Sequence, residues 1–81
     1  MNLLIVDDDL HVIEGIERNL DWERLHIDQA FQALGVPAAK KVLSSNPIDV
    51  MICDIEMPQE TGLDLLEWIR EEGFPIQAIF L

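Results

Sequence analysis

Apolar residues follow two different periods along the chain. Residues 3–6, 49–53 and 76–81 are short runs dominated by apolar side chains. Such runs are typical of strands that are buried on both faces of a parallel sheet. Residues 27–33 predict a weaker strand, because three polar side chains interrupt the apolar pattern.

Between these runs the apolar residues recur at helical spacing. The first helix is predicted from Leu10 to Leu20. The second has Pro37 in its first turn and ends at residues 44–47, and the third is capped by Thr61 and ends at Gly73. The resulting order βαβαβαβ predicts an α/β domain, in which right-handed crossovers place helices on both faces of a parallel sheet.

Two of the predicted strands end in acidic residues. Asp7, Asp8 and Asp9 follow the first strand, and Asp54 follows the third. Ligands of such sheets bind at the carboxyl ends of the strands, so neighbouring strands would bring several carboxylates together. Carboxylates that close repel one another unless a cation neutralises them, and Mg²⁺ prefers oxygen ligands of this kind. For Asp9, capping of the following helix is the alternative.

This set of groups suits phosphoryl transfer to a carboxylate. The nucleophile needs no proton removed, and a metal ion would offset the charge on the entering phosphoryl group. Acidic residues after strands are also common as helix caps, but capping does not account for Asp7, Asp8 and Asp54 together.

Composition narrows the class of protein. The 81 residues allow one domain, and 16 acidic against 5 basic residues give a net charge of −11, which would repel nucleic acid. Cys53 is the one cysteine and predicts a reducing compartment. No signal peptide or run of about 18 apolar residues is present, so we expect a soluble cytoplasmic protein. His11 and His26 have no partner residues that would suggest a metal site, and they are predicted to lie at the surface.

Three segments carry a resemblance to a known family. They are residues 4–9 (LIVDDD), 52–58 (ICDIEMP) and 62–66 (GLDLL). Together they resemble the receiver domain of bacterial two-component response regulators, and the similarity runs over residues 1–81. Each segment alone would be weak evidence, whereas the combination is highly specific.

The resemblance implies a role for each matching residue. Asp54 would be the phosphoacceptor, in a signalling switch rather than an enzyme. Asp8 would bind Mg²⁺ directly, Asp7 would act largely through water, and the backbone carbonyl of Glu56 would be a further ligand. The loop after the acceptor would be shaped by a stiff Pro58 and by Gly62, which permits close approach of a helix.

The resemblance also implies partners. A histidine kinase would donate the phosphoryl group, and the change would pass to an output domain absent from this chain, such as a DNA-binding module. Residues 21–25 are similar to receivers whose full chains carry an AraC-type output domain. The chain itself is expected to contact neither nucleic acid nor membrane.

The sequence departs from the family after the fourth strand. The family uses a Ser or Thr after that strand and a Lys at the end of the fifth, whereas this sequence ends at Leu81. Lys40 and Lys41 lie on the second predicted helix and cannot substitute. We therefore expect residues 1–81 to be the N-terminal part of a receiver. The flavodoxin-like sheet would have the order 2-1-3-4, without the fifth strand and last helices, and stable phosphorylation would be weak or absent.

The fourth strand is then expected to be a bare apolar edge. Such an edge can pair with another chain, so self-association is predicted there. The residues of this predicted edge are Ile76, Ala78, Ile79, Phe80 and Leu81.

Two alternatives stay open. Residues 6–9 also fit the nucleophile motif of haloacid dehalogenase-like phosphatases, in which Asp7 would be the nucleophile. The chain is short for that fold, and the match from Asp54 to Gly62 would then be a coincidence. The other alternative is a receiver remnant that is not phosphorylated at all.

Overall fold

Four parallel strands alternate with three helices in the computed structural model, which describes residues 1–81. The strands are β1 Asn2–Val6, β2 Gln29–Ala33, β3 Val50–Cys53 and β4 Gln77–Phe80. The helices are α1 Leu10–Asn19, α2 Val36–Ser45 and α3 Gly62–Glu72. The sheet order is β2-β1-β3-β4, which confirms the predicted topology. None of the helices combines the length and the apolar character needed to cross a membrane.

β1 lies between two apolar cores. Its side chains alternate between the faces of the sheet, so Leu3 and Ile5 join a small core under α1, while Leu4 and Val6 join the larger core. The larger core contains 13 buried residues, including residues of α2 and α3. Burial on both faces explains why the β1 sequence is continuously apolar. It also fixes the strand end from which the acidic residues project.

Local chemistry determines where the helices begin and end. The Asp9 side chain accepts a hydrogen bond from the His11 N–H and caps α1. Thr61 caps α3 as predicted, and Asp64 completes a capping box, because the Asp64 carboxylate accepts from the Thr61 N–H. Gly73 ends α3 with a φ of 78°, in the left-handed region that glycine adopts at little cost.

Two predicted boundaries were wrong. The second strand begins at Gln29 rather than Ile27, because residues 22–26 form a turn in which the Ile27 N–H donates to the Trp22 carbonyl. Ile76 does not belong to the exposed edge: it precedes β4, which begins at Gln77, and only 5% of its surface is exposed. The exposed large apolar residues at this edge are Ile79 and Leu81.

Candidate functional site

Three carboxylates converge at the carboxyl ends of β1 and β3. Asp7, Asp8 and Asp54 each offer a ligand oxygen, and these oxygens lie within 4.8 Å of one another. The sheet produces this arrangement, because Val6 pairs with Cys53 and the Asp54 N–H donates to the Val6 carbonyl at 3.0 Å. The predicted convergence is therefore present in the structure.

Asp7 is the buried member of the cluster. Only 6% of its surface is exposed, and one carboxylate oxygen accepts a hydrogen bond from the Asp9 N–H at 2.9 Å. Burial raises the pKa of Asp7, and the neighbouring carboxylates of Asp54 and Asp8 add to this effect, whereas the Asp9 N–H opposes it. The environment thus disfavours the charged form of a group that lies beside two more acids.

The donor set is appropriate for Mg²⁺. Three carboxylates at one open edge offer only oxygen ligands, and a divalent cation would relieve their mutual repulsion. Asp8 is exposed and Asp54 is half-buried, so the cluster is accessible from solvent. Glu56 lies two residues after Asp54 and donates its N–H to Asp54 Oδ1 at 3.2 Å. Metal ligation by the Glu56 carbonyl stays a prediction.

The loop after Asp54 is held against the sheet by a residue without a side chain. The Gly62 N–H donates to the Ile55 carbonyl at 2.8 Å. A Cβ atom at Gly62 would lie 2.6 Å from the Asp54 carbonyl oxygen and 3.2 Å from Cys53 Sγ. The predicted role of Gly62 in close helix approach is confirmed, and its neighbour proves to be the backbone of the site itself.

Other predicted residues lie outside the cluster. His11 and His26 are exposed, as predicted. Lys40 is on α2, where its Nζ lies 3.7 Å from Glu60 and 5.4 Å from the Trp68 ring centroid. Lys40 therefore connects α2 to α3 and to the end of the loop that follows Asp54, and it does not reach the acidic cluster.

Sequence reasoning missed the second half of the α3 cap. The spacing Thr61-x-x-Asp64 is that of a capping box, and it is the signal in the sequence that indicates this interaction. This cap fixes the first turn of α3, which begins at Gly62 and so contacts the Asp54 backbone.

The buried thiol next to Asp54 gives a pH-dependent prediction. Cys53 is fully buried, and burial, with smaller contributions from the charges of Asp54 and Asp7, raises the pKa of the Cys53 thiol from 9.0 to about 11. The folded state then holds this proton more tightly than the unfolded state, so stability should fall as pH rises between these two values. Urea unfolding at pH 8 and at about pH 10 would measure the loss. The Cys53→Ala variant should show a smaller loss, and an equal loss in both chains would contradict the prediction.

The four-stranded parallel order, the acidic cluster and the close-packed glycine together define an α/β domain with a candidate cation site at the carboxyl edge of its sheet. The sequence matches the response regulator receiver domain over residues 3–81, and the chain belongs to this family. It is 31% identical over 81 residues to the response regulator MprA of Mycobacterium avium and to the response regulator protein PmrA of Pseudomonas aeruginosa. All of this chain aligns with 34% and 35% of those proteins, so it spans about a third of their length.

Solved structures show the same fold. A two-component transcriptional regulator AraC from Clostridium phytofermentans superposes with a TM-score of 0.93 at 30% identity, over 99% of this chain and 62% of that one. The MaeR response regulator bound to beryllium trifluoride superposes with a TM-score of 0.85 at 29% identity, over 100% of this chain and 66% of that one. The predicted receiver fold is confirmed.

Proposed function

We propose that Asp54 accepts a phosphoryl group from a phosphorylated histidine of a kinase, with Mg²⁺ held by the acidic cluster. The observation that carries this proposal is the convergence of the Asp7, Asp8 and Asp54 carboxylates within 4.8 Å at one edge of the sheet. Three acids gathered from two strands have no structural role in common, because only Asp9 serves as the cap of α1. A cation and a dianionic substrate account for the cluster better than helix capping does.

Each residue of the site has a different proposed role. Asp8 is exposed and would bind Mg²⁺ directly, while the buried Asp7 would act largely through water, and the Glu56 carbonyl and Asp54 would complete the protein ligands. When bound, the ion would offset negative charge on the phosphoryl oxygens. The Glu56 N–H donates to Asp54 Oδ1, so the backbone helps to orient the acceptor carboxylate.

The chemical step needs no base on the acceptor. An ionised Asp54 oxygen forms a bond to phosphorus as the phosphorus–nitrogen bond to histidine breaks, and the released imidazole nitrogen takes a proton from solvent. The product is an acyl phosphate on Asp54 and a free histidine on the kinase. In-line attack requires a fixed carboxylate, and β3 together with the close Gly62 contact supplies that rigidity.

Two of the solved structures support the proposed signalling role and an output domain in the full-length protein. The MaeR response regulator binds beryllium trifluoride, and its fold matches all of this chain. The AraC-type regulator supports an output domain for DNA-binding transcription control in the full-length protein. We place this signalling role in the cytoplasm. Self-association of the chain is a further proposal.

Trapping the acyl phosphate tests the acceptor. The chain would be incubated with Mg²⁺ and a small phosphodonor, reduced with borohydride and mapped by mass spectrometry. Modification is expected at Asp54, at whatever stoichiometry, and is expected to disappear in Asp54→Asn. Asp49→Asn is the matched control, because Asp49 is an exposed acid at the opposite end of β3. The Asn2 N–H donates to the Asp49 side chain, and an asparagine oxygen can still accept this hydrogen bond. Modification of Asp7 would favour the phosphatase alternative, and an unmodified chain would favour the receiver remnant that is not phosphorylated; either result would contradict the proposal.

A further inference from the structure

The loop that follows Asp54 contains a strained turn. Gln59 has a φ of 73°, in the left-handed region that residues other than glycine rarely adopt. The Glu60 N–H donates to the Pro58 carbonyl at 2.9 Å, so a hydrogen bond between residues two apart closes the turn. A γ-turn with a positive φ is rare and strained, and such a conformation persists only where the surrounding structure holds it.

Hydrogen bonds fix both ends of this loop. At its start the Glu56 N–H donates to Asp54 Oδ1 at 3.2 Å. At its end the Thr61 N–H donates to the Asp64 side chain at 2.9 Å, in the capping box of α3. Gln59 lies between these ends and is exposed. The strain at Gln59 must therefore be balanced by contacts of its neighbours in the loop.

The next residue of the turn is bound to α2. Lys40 Nζ lies 3.7 Å from Glu60 Oε2 and 5.4 Å from the ring centroid of Trp68. The ammonium group thus lies near a carboxylate of the loop and an aromatic ring of α3, and both attract it. The chain has 5 basic side chains, and Lys40 is the one that forms an ion pair. The single ion pair between side chains is therefore located at the strained turn.

We propose that Lys40 is a positioning residue, which holds the strained turn through Glu60 and thereby positions the Glu56 carbonyl for a cation. Without the ion pair, Gln59 can return to an ordinary negative φ. A change of φ rotates the chain on one side of Gln59 relative to the other, and the cap fixes α3, so the displacement falls on residues 55–58. The role toward the cation rests on the proposed function, whereas the role toward the turn does not.

The charge of Lys40 by itself has the opposite effect on a cation. The chain has a net charge of −11, and loss of a lysine makes it more negative. The attraction between the acidic cluster and Mg²⁺ should then rise. A fall in Mg²⁺ affinity after loss of the Lys40 charge would therefore come from the position of the ligands, so the sign of the change separates the two effects.

Titration calorimetry with Mg²⁺ would compare Lys40→Met with Lys41→Met. Both variants remove one positive charge and keep an unbranched side chain, but Lys41 is exposed on the same helix and forms no ion pair. Affinity is expected to fall about fivefold in Lys40→Met, the size of effect expected for a partly exposed ion pair, and to stay equal or rise in Lys41→Met. In a Gln59→Gly background, where a positive φ has no steric cost, the loss caused by Lys40→Met should largely disappear.

Hydrogen exchange of the metal-free chain gives a second readout. The Glu60 amide is bonded within the turn and should exchange about fivefold faster in Lys40→Met, but not in Lys41→Met. Equal exchange rates in the two variants would overturn the inference, and so would an Mg²⁺ affinity that rises equally in both. If the unchanged chain bound no Mg²⁺, the proposed function and the positioning of Glu56 would both fail, while the exchange rates would still decide whether Lys40 holds the turn.

Discussion

Replacing Asp7 by asparagine is expected to stabilise the metal-free chain and to weaken its binding of Mg²⁺. Asp7 is the buried carboxylate of the cluster and lies beside Asp8 and Asp54. Asparagine keeps an acceptor oxygen for the Asp9 N–H but removes one of three like charges. The free energy of unfolding should rise by on the order of 1 kcal/mol, the interaction of two like charges about 4 Å apart in water.

The pH dependence of this gain follows from the direction of the pKa shift. The pKa of Asp7 is raised in the folded chain above its ordinary value of 3.8. The folded state therefore binds this proton more tightly, and the ionised Asp7 lowers stability at neutral pH. Below pH 3.8 Asp7 is protonated in both states, so the advantage of the variant should disappear there. Urea unfolding of the unchanged chain and of Asp7→Asn, from below pH 3.8 to neutral pH, would measure the difference in the free energy of unfolding.

The same substitution should lower Mg²⁺ affinity by about tenfold or more, because groups around a metal typically have effects of this size. Titration calorimetry and the Mg²⁺-induced rise in Tm would measure it. Asp9→Asn is the matched control, since it removes the same charge two residues away and asparagine caps helices as well as aspartate. Equal losses of Mg²⁺ affinity in the two variants would show that Asp7 acts only through overall charge.

Replacing Gly62 by valine is expected to destabilise the fold by about 3 kcal/mol and to disturb the loop that follows Asp54. The added Cβ would lie 2.6 Å from the Asp54 carbonyl oxygen and 3.0 Å from Phe80 Cε1. The first of these is a backbone atom, so the clash cannot be relieved by a change of rotamer. Either α3 moves away from the sheet or the strand end that carries Asp54 moves.

Gly15→Ala is the control for Gly62. Gly15 lies within α1, and the nearest atom to an added Cβ is Arg18 Nη2 at 3.9 Å. Alanine is favoured over glycine inside helices, so this variant should gain about 0.5–1 kcal/mol. Urea denaturation would compare both variants, and Mg²⁺ titration would show whether Gly62→Val also weakens the site. A Gly62→Val variant with an unchanged free energy of unfolding would show that α3 can move without loss of stability.

The position of Asp54 links the two predictions. Asp54 has its backbone N–H bonded to β1 and its backbone carbonyl in close contact with α3. A movement of α3 would therefore be transmitted to Asp54, and charge changes at Asp54 act on a backbone that α3 constrains. Lys40, which contacts both Glu60 and the Trp68 ring, joins α2 to the same unit.

Much of this architecture could be predicted because local patterns are strong here. The continuous apolar run of β1 indicated burial on both faces, and the acids that follow it had to lie at the carboxyl edge of a parallel sheet. Thr61 and Gly73 marked the ends of α3 through chemistry that depends on a few neighbouring residues. The convergence of Asp7 and Asp54 followed from topology, because right-handed crossovers leave few possible strand orders.

Long-range packing decided which residues are buried and how closely the residues of the site lie. Residues 76 and 79 alternate in face, but the sequence does not show which face is covered: Ile76 is buried and Ile79 is 48% exposed, because burial depends on which helices cover each face. Ile27 lies outside a strand because a turn that begins at Trp22 takes its N–H. The raised pKa of Asp7 and the contact between Gly62 and the Asp54 carbonyl likewise arise from residues distant in sequence. The sequence alone determined which acids follow β1 and β3, and the tertiary structure decided how closely they meet, because distances and burial are set by packing between elements far apart in the chain.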